Sequence, residues 1–398
     1  MKLVEPHLAK RASRCVGGRG LGALAAVSLA VTLASIATAC GGRADPTSGS
    51  ARPASTEPGP SVAPAATCEA SSAADIEVSS GDLNGFPPYA VSGCTLVYVS
   101  AAGDLVLRDL ATASETVVAP AAEHPRRPSV SADLVAWEAD EESHSVVRVR
   151  TSVAGVVTTR TIAGGFVSAG EPRASGSSVA FTAWNGPTST DDTDVWLYDA
   201  KTGDARVVLG GAGQQRFADV SSAYVAATDF SEDPDGRFDN DGKDVSDVIV
   251  FERATGAVVQ RRLDGKQAFP MLAEDGVLAY LAWTGVHPEP KFVAYELRSG
   301  SIHGDPLSDK TVAAVYYAST DYARPALAAG TLEWIANPDG RTTLYRAPAD
   351  GSSAPVAVRG LEAFRLFAPS PSSAGFTVLA TSRLSSSALV PTLRAVAR

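Results

Sequence analysis

The sequence predicts an all-β chain folded as a β-propeller of four-stranded antiparallel blades, seven in number, with six as the alternative. Three observations carry this. From Cys68 onward, apolar residues come in short runs bounded by Gly, Asp, Asn, Ser and Pro, with no sustained helical period. One such run recurs as Thr95-Leu-Val-Tyr98, Leu134-Val-Ala-Trp137, Ser178-Val-Ala-Phe181, Tyr224-Val-Ala-Ala227, Val277-Leu-Ala-Tyr280, Thr331-Leu-Glu-Trp334 and Phe376-Thr-Val-Leu379. Successive copies start 39, 44, 46, 53, 54 and 45 residues apart, the period of a propeller blade. Finally, a second strand follows each copy after a short loop, as in Asp104–Asp109, Val146–Arg150 and Asp194–Asp199. Two tandem β-sandwiches are the competing architecture, but their strands would not keep this phase.

The chain has 398 residues. Its first 20 are basic and polar, and residues 21–38 are apolar and uncharged. Ala39-Cys40-Gly41 follows, so residues 1–39 read as an export signal. The cysteine directly after Ala37-Thr38-Ala39 resembles a bacterial lipobox, which implies acylation of Cys40 and cleavage just before it. Plain secretion and a single membrane anchor are the alternatives, since eighteen apolar residues nearly span a bilayer.

Residues 41–67 form a linker in which twenty-two of 27 residues are Gly, Ala, Pro, Ser or Thr. Such a stretch cannot bury enough surface to offset its ordering entropy. It reads as a tether holding residues 68–398 roughly 30 Å from the membrane. Cys15 is lost with the leader and Cys40 takes lipid. Cys68 and Cys94 remain, an even pair expected to form a disulfide in an oxidising compartment, with two reduced buried thiols as the alternative.

The last hairpin, from Phe376 to Val396, has no room for a full third and fourth strand. Ring closure is therefore expected to borrow an N-terminal strand near Asp75-Ile-Glu-Val78. Net charge is −10 for the whole chain and +4 for the leader, leaving about −14 beyond it. That excludes a phosphate-tracking nucleic-acid binder.

Asp194-Val-Trp-Leu-Tyr-Asp-Ala-Lys-Thr-Gly203 and Asp247-Val-Ile-Val-Phe-Glu-Arg-Ala-Thr-Gly256 resemble the repeat of TolB-type, WD-repeat-like propellers. Asn337-Pro-Asp-Gly340 echoes the family's turn, and the resemblance covers residues 95–398. It implies the fold and little about activity, because propellers host many functions. TolB proteins place an α/β domain before the propeller. Here about 27 residues, 68–94, precede the first hairpin, so TolB's role in linking envelope layers is not carried over.

The sequence shows no G-x-S-x-G elbow, H-E-x-x-H, C-x-x-C or P-loop. We assign no catalytic residue from it. His124, His144, His287 and His303 fall in separate loops and read as solvated. The acidic loop 229–247 carries eight acids against Arg237 and Lys243. Asp233, Asp235, Asp239, Asp241 and Asp244 are the candidate ligands for Ca²⁺, the one cofactor considered. The strict EF-hand register fails, and a solvated acidic loop is the alternative. Trp137, Trp334 and Trp196 sit at repeat positions and read as inter-blade core. Trp184 and Trp283 lie just past their strands and read as more exposed.

The function expected is a lipid-anchored binding or scaffold module of the bacterial envelope, facing periplasm or cell surface. The chain is expected to be monomeric and to meet an envelope protein or polysaccharide, touching membrane through its lipid alone. The alternative is a carbohydrate-active propeller enzyme, glycoside hydrolase or lyase, with its site at a mouth of the central channel.

Overall fold

The short apolar runs become strands, and in the computed structural model these strands form seven antiparallel sheets. The structure describes residues 68–398 apart from 133, 189–190, 238–244, 262–265, 284–291, 319–322, 338–340 and 385–389. The leader, Cys40 and the linker lie outside the described residues. The blades span 89–119, 126–161, 168–209, 215–261, 266–318, 326–357 and 364–397, and we number them 1 to 7 in that order. Within each, chain order is spatial order. The first strands touch one another around the ring, so they line the central channel.

The recurring run of the sequence is the second strand of each blade. Leu134–Glu141, Ser178–Trp184 and Phe376–Arg383 are buried along most of their length, because both faces of a blade are covered by neighbours. The outermost strand Val156–Thr161 is exposed throughout.

The core is accordingly a set of seams between blades. Val97, Val99 and Leu105 of blade 1 pack with Val130, Trp137 and Val146 of blade 2. Ala136 and Val149 meet Val179 and Phe181 across the next seam. Leu197 and Val208 then meet Val225 and Ile249, and Val248 and Val250 meet Leu278 and Tyr280. A larger cluster fills the seams from blade 5 to blade 7. Trp137 and Trp334 are both buried, as their repeat positions predict.

The seventh sheet has three strands of its own. Its outer edge is covered by the segment before blade 1. The Asp75 amide donates to the Leu393 carbonyl at 2.9 Å, the Leu393 amide to Ile76 at 2.9 Å, and the Val78 amide to Pro391 at 3.0 Å. The N-terminal strand expected from the short last hairpin thus closes the ring and covers an otherwise open edge. Ala73, Val78 and Leu83 pack with Tyr89, Leu96, Val378 and Leu393 over this joint. A disulfide joins Cys68 to Cys94 in the turn between the first two strands of blade 1, with Cα atoms 5.2 Å apart.

Candidate functional site

Antiparallel order fixes two faces. The starts of the first strands, the ends of the second and the starts of the third share one face, here called upper. The hairpin turns after the first and third strands share the lower face.

The channel-lining strands carry a repeated irregularity. Arg127, Glu171, Phe217 and Phe269 have φ of 51°, 57°, 57° and 57°. Each sits where its strand slips register against the second strand. Left-handed backbone at such residues costs about 1–3 kcal/mol and persists only where the surroundings hold it. For Glu171, Phe217 and Phe269 the preceding blade does so. A Glu138 carboxylate oxygen accepts the Glu171 amide at 3.2 Å, Glu171 accepts the Phe217 amide at 3.4 Å, and the Thr228 hydroxyl accepts the Phe269 amide at 3.0 Å.

The same carboxylates take up arginines from the upper mouth. Arg126 reaches Glu138 Oε1 at 2.7 Å and Arg127 reaches Oε2 at 3.0 Å. Arg216 reaches Glu171 Oε1 at 2.5 Å, and the Thr182 hydroxyl donates to Oε2 at 2.8 Å. Burial pushes the Glu171 carboxyl up, but the Arg216 and Arg127 charges and these hydrogen bonds outweigh it, holding it below its usual range. Glycine is required at 170, since a Cβ there would stand 2.3 Å from Glu138 Oε2.

The channel is stoppered from above. The chain leaves the closing strand, bonds Ser79 to the Val99 carbonyl, and runs across the upper face toward blade 1. The Ala368 amide donates to the Leu83 carbonyl at 3.2 Å and the Arg324 amide to Asn84 at 3.0 Å. Phe86, 8% exposed, enters the channel with its ring 6.0 Å from that of Phe217. The guanidinium groups of Arg127, Arg173 and Arg324 lie 4.9, 5.9 and 5.8 Å from its centroid, so the plug is held by cation–π contact as well as burial.

Beside the plug, between blades 2 and 3, the upper face holds a cleft of about 670 Å³ lined by His124, His144, Asp140, Glu142, Trp184 and Arg216. His124 Nδ1 lies 3.0 Å from Asp140 Oδ2, and Arg126 Nη1 donates to Asp140 Oδ1 at 2.6 Å. Burial raises Asp140, but the bonds from Arg126 and His124 and the Arg126 charge outweigh it, so this carboxyl also sits below its usual range. Arg216 stacks over the Trp184 ring at 5.5 Å.

The fold therefore brings His124 and His144 to one cleft although 20 residues separate them. His303 lies at the opposite face beside Tyr224 and Glu252, and His287 lies outside the described residues. Trp184 and Trp283 are half-buried. In the acidic loop, Asp233 accepts the amides of Asp235 and Val245 at 3.1 and 2.7 Å, and Asp235 pairs with Arg237 at 2.9 Å. Asp239, Asp241 and Asp244 lie outside the described residues. Among those described, no group of three or more His, Cys, Asp or Glu side chains is placed to hold a metal ion.

Residues that the repeat pattern did not single out also converge here: Phe86, Glu138, Glu171, Arg173, Arg216 and Arg324. A signal for their position was present. Pro88, Pro128, Pro172, Pro270 and Pro325 recur at first strands, and proline is tolerated at such an edge because no further strand needs its missing amide.

The chain is a seven-bladed β-propeller. No known protein family and no curated protein matches it. Among solved structures it is similar to a prolyl endopeptidase, with a TM-score of 0.51 and 15% identity over 82% of this chain and 48% of that one. It is similar to the tricorn protease at 0.51 and 10%, over 78% of this chain and 34% of that one. TolB from Acinetobacter baumannii gives 0.41 and 15%, over 68% and 64%. The chain thus spans less than two thirds of each of these proteins, and at such identities the likeness is one of fold.

Proposed function

We propose that this propeller is an exported, lipid-anchored recognition module of the bacterial envelope, and that it meets its partner at the upper cleft. The observation that carries the reading is that Glu138 and Glu171, the buried acids at the channel mouth, are already committed to arginines and backbone amides of neighbouring blades. What stays open beside them is an amphipathic cleft with an indole, two imidazoles and exposed acids, the composition of a binding surface. The linker and Cys40 supply a tether on which such a surface can search.

A glycan-cleaving site is the second reading, favoured by the meeting of His124, His144 and Asp140. Against it, Asp140 and Glu171 are both held ionised, the wrong direction for a general acid.

A photo-cross-linking residue at exposed Ser143, on the cleft rim, tests this in intact cells, with exposed Thr202 in a lower-face turn as control. A discrete adduct from position 143 and none from 202 is expected. Cys40→Ser abolishes fatty-acid labelling and releases the protein from the membrane. Equal adducts from both positions, or none together with release of reducing sugar ends from envelope polysaccharide, overturn the recognition reading.

A further inference from the structure

An open sheet edge is a row of unpaired amides and carbonyls, and proteins blunt such edges. Six of the seven outer edges are blunted here. The ladder to the outermost strand slips register between Leu105 and Val106 in blade 1, Val195 and Trp196 in blade 3, and Leu297 and Arg298 in blade 5. Such bulges bend and twist an edge. The outermost strand of blade 4, Val258–Arg261, has four residues, and that of blade 6, Val356–Ala357, has two. Blade 7 is covered by the closing segment at Asp75, Ile76 and Val78. Blade 2 is the exception. Val156–Thr161 pairs with His144–Val153 over six residue pairs without a slip, and it is exposed throughout. Its sequence, Val-Val-Thr-Thr-Arg-Thr, is β-branched at five of six positions and holds no proline and no acid. Val153, Val156 and Val157 are 70, 64 and 50% exposed.

The backbone phase of this strand is fixed at both ends. Ala154 and Gly155, with φ of 50° and 79°, form a two-residue turn, so Val153 and Val156 exchange backbone bonds. At the far end the Ile162 amide donates to the Val147 carbonyl at 2.9 Å. Residues 156, 158, 160 and 162 therefore bond inward. The amides and carbonyls of Val157, Thr159 and Thr161 point away from the blade. An antiparallel mate must set outward residues against outward residues. A second copy, related by a two-fold axis at Thr159, does so in full. Thr159 then faces Thr159, Val157 faces Thr161 on either side, and each pair exchanges two backbone bonds. Moving the axis by one residue brings Gly155 or Ala163, both beyond the strand, into the ladder and leaves one outward residue of each copy unpaired. In the full register Arg160, the single charge of the strand, stands opposite Thr158, so no like charges oppose one another. Its guanidinium lies by the Gly203 turn of blade 3, since a Cβ at 203 would stand 3.4 Å from Arg160 Nη1.

We infer that the outer edge of blade 2 is an interface between two copies of this chain, at which their Val156–Thr161 strands pair antiparallel about Thr159 and join two blades into one sheet. A second copy fits because the strand complements itself in phase, in side-chain size and in charge. The chain's own linker does not fit. Residues 41–67 hold five prolines, which lack the amide a ladder needs. Six residues make a small contact, and contacts under about 1,200 Å² belong to weak encounters. The dimer is accordingly reversible, and the monomer expected from the sequence is its dilute form. This inference does not rest on the cleft.

Sedimentation equilibrium of the full-length chain in density-matched detergent tests the association, and cysteine trapping tests its register. The mass of the wild type is expected to rise with concentration toward that of two chains. Thr159→Pro weakens this association about tenfold or more, because it removes the central donor from both copies. The variant keeps the wild-type circular dichroism, since the lost amide faces away from the blade and proline is tolerated at such a position. Under mild oxidation Thr159→Cys yields a disulfide-linked dimer, because a hydrogen-bonded pair sets Cα atoms about 5.5 Å apart. Val157→Cys and Thr161→Cys cross-link when mixed and not when alone. Thr158→Cys, equally exposed but facing Arg160, stays monomeric. Equal trapping at 158 and 159, or association unchanged in Thr159→Pro, overturns the inference. So does a wild type that stays monomeric at every concentration with no adduct from position 159. Adducts from position 159 to a foreign envelope protein in intact cells, with none between copies, overturn it as well and give the edge to another chain's strand.

Discussion

Glu171→Ala lowers the unfolding free energy by about 3–5 kcal/mol, the range for removing one partner of a buried ion pair. The side chain has no exposure at all. Its loss leaves the Arg216 guanidinium, with only 14% of its side chain exposed, without its carboxylate. It also removes the carboxylate that accepts the Phe217 amide at a left-handed residue. Denaturant unfolding followed by far-UV circular dichroism measures the change. Glu115→Ala is the contrast. Glu115 pairs with Arg108 at the surface with 43% of its side chain exposed, and such pairs contribute about 0–1 kcal/mol. Equal losses in the two variants would contradict the role given to Glu171.

The pH dependence follows from the same site. The folded-state pKa of Glu171 lies below its ordinary value of 4.5. In the interval between the two, the unfolded chain binds the extra proton, so stability rises with pH there. The contribution of Glu171 is fully present above about pH 4.5 and is lost as pH falls through the folded pKa. The gap between wild type and Glu171→Ala accordingly narrows in acid and is constant around neutrality.

These inter-blade contacts show why the fold was legible in the sequence and much of the site was not. A blade needs local strand and turn signals, and its neighbours need apolar residues at the same phase. Trp137 and Trp334 met both conditions, and their repeat positions sufficed to place them in seams. Asp75–Val78 was legible as the closing strand because the last hairpin ran out of chain. Glu138 and Glu171 obey no such rule. They lie 33 residues apart on different strands of different blades. Their meeting depends on the rotation between blades and on one extra residue in each first strand. Phe86 stands alone in Gly85-Phe-Pro-Pro88, a stretch that reads as turn. Nothing local says that its ring enters a channel where three arginines wait. His124 and His303 are exposed, as their loops suggest, but separate loops in sequence become one cleft for His124 and His144 only after the ring is closed.

Cys94→Ser is expected to loosen that closure before it unfolds anything else. The disulfide spans a separation of 26 residues, and loop-closure entropy alone gives about 3.5 kcal/mol for a crosslink of that size. The local consequence is sharper than the global one. The closing strand offers few backbone bonds to blade 7, through Asp75, Ile76 and Val78, and a strand so short has little stability of its own. What keeps it in place is the packing of Ala73 and Val78 and the covalent fix just upstream at Cys68. In the variant, amide hydrogen exchange rises first in peptides covering 72–80 and 390–398, since the Leu393 amide bonds to Ile76. Peptides around Val147 and Val149, in a seam far from the joint, keep their protection at the same denaturant concentration. Uniform loss of protection across all seven blades would mean that the ring opens only by global unfolding. The disulfide would then act on the unfolded chain alone and not on the closing strand.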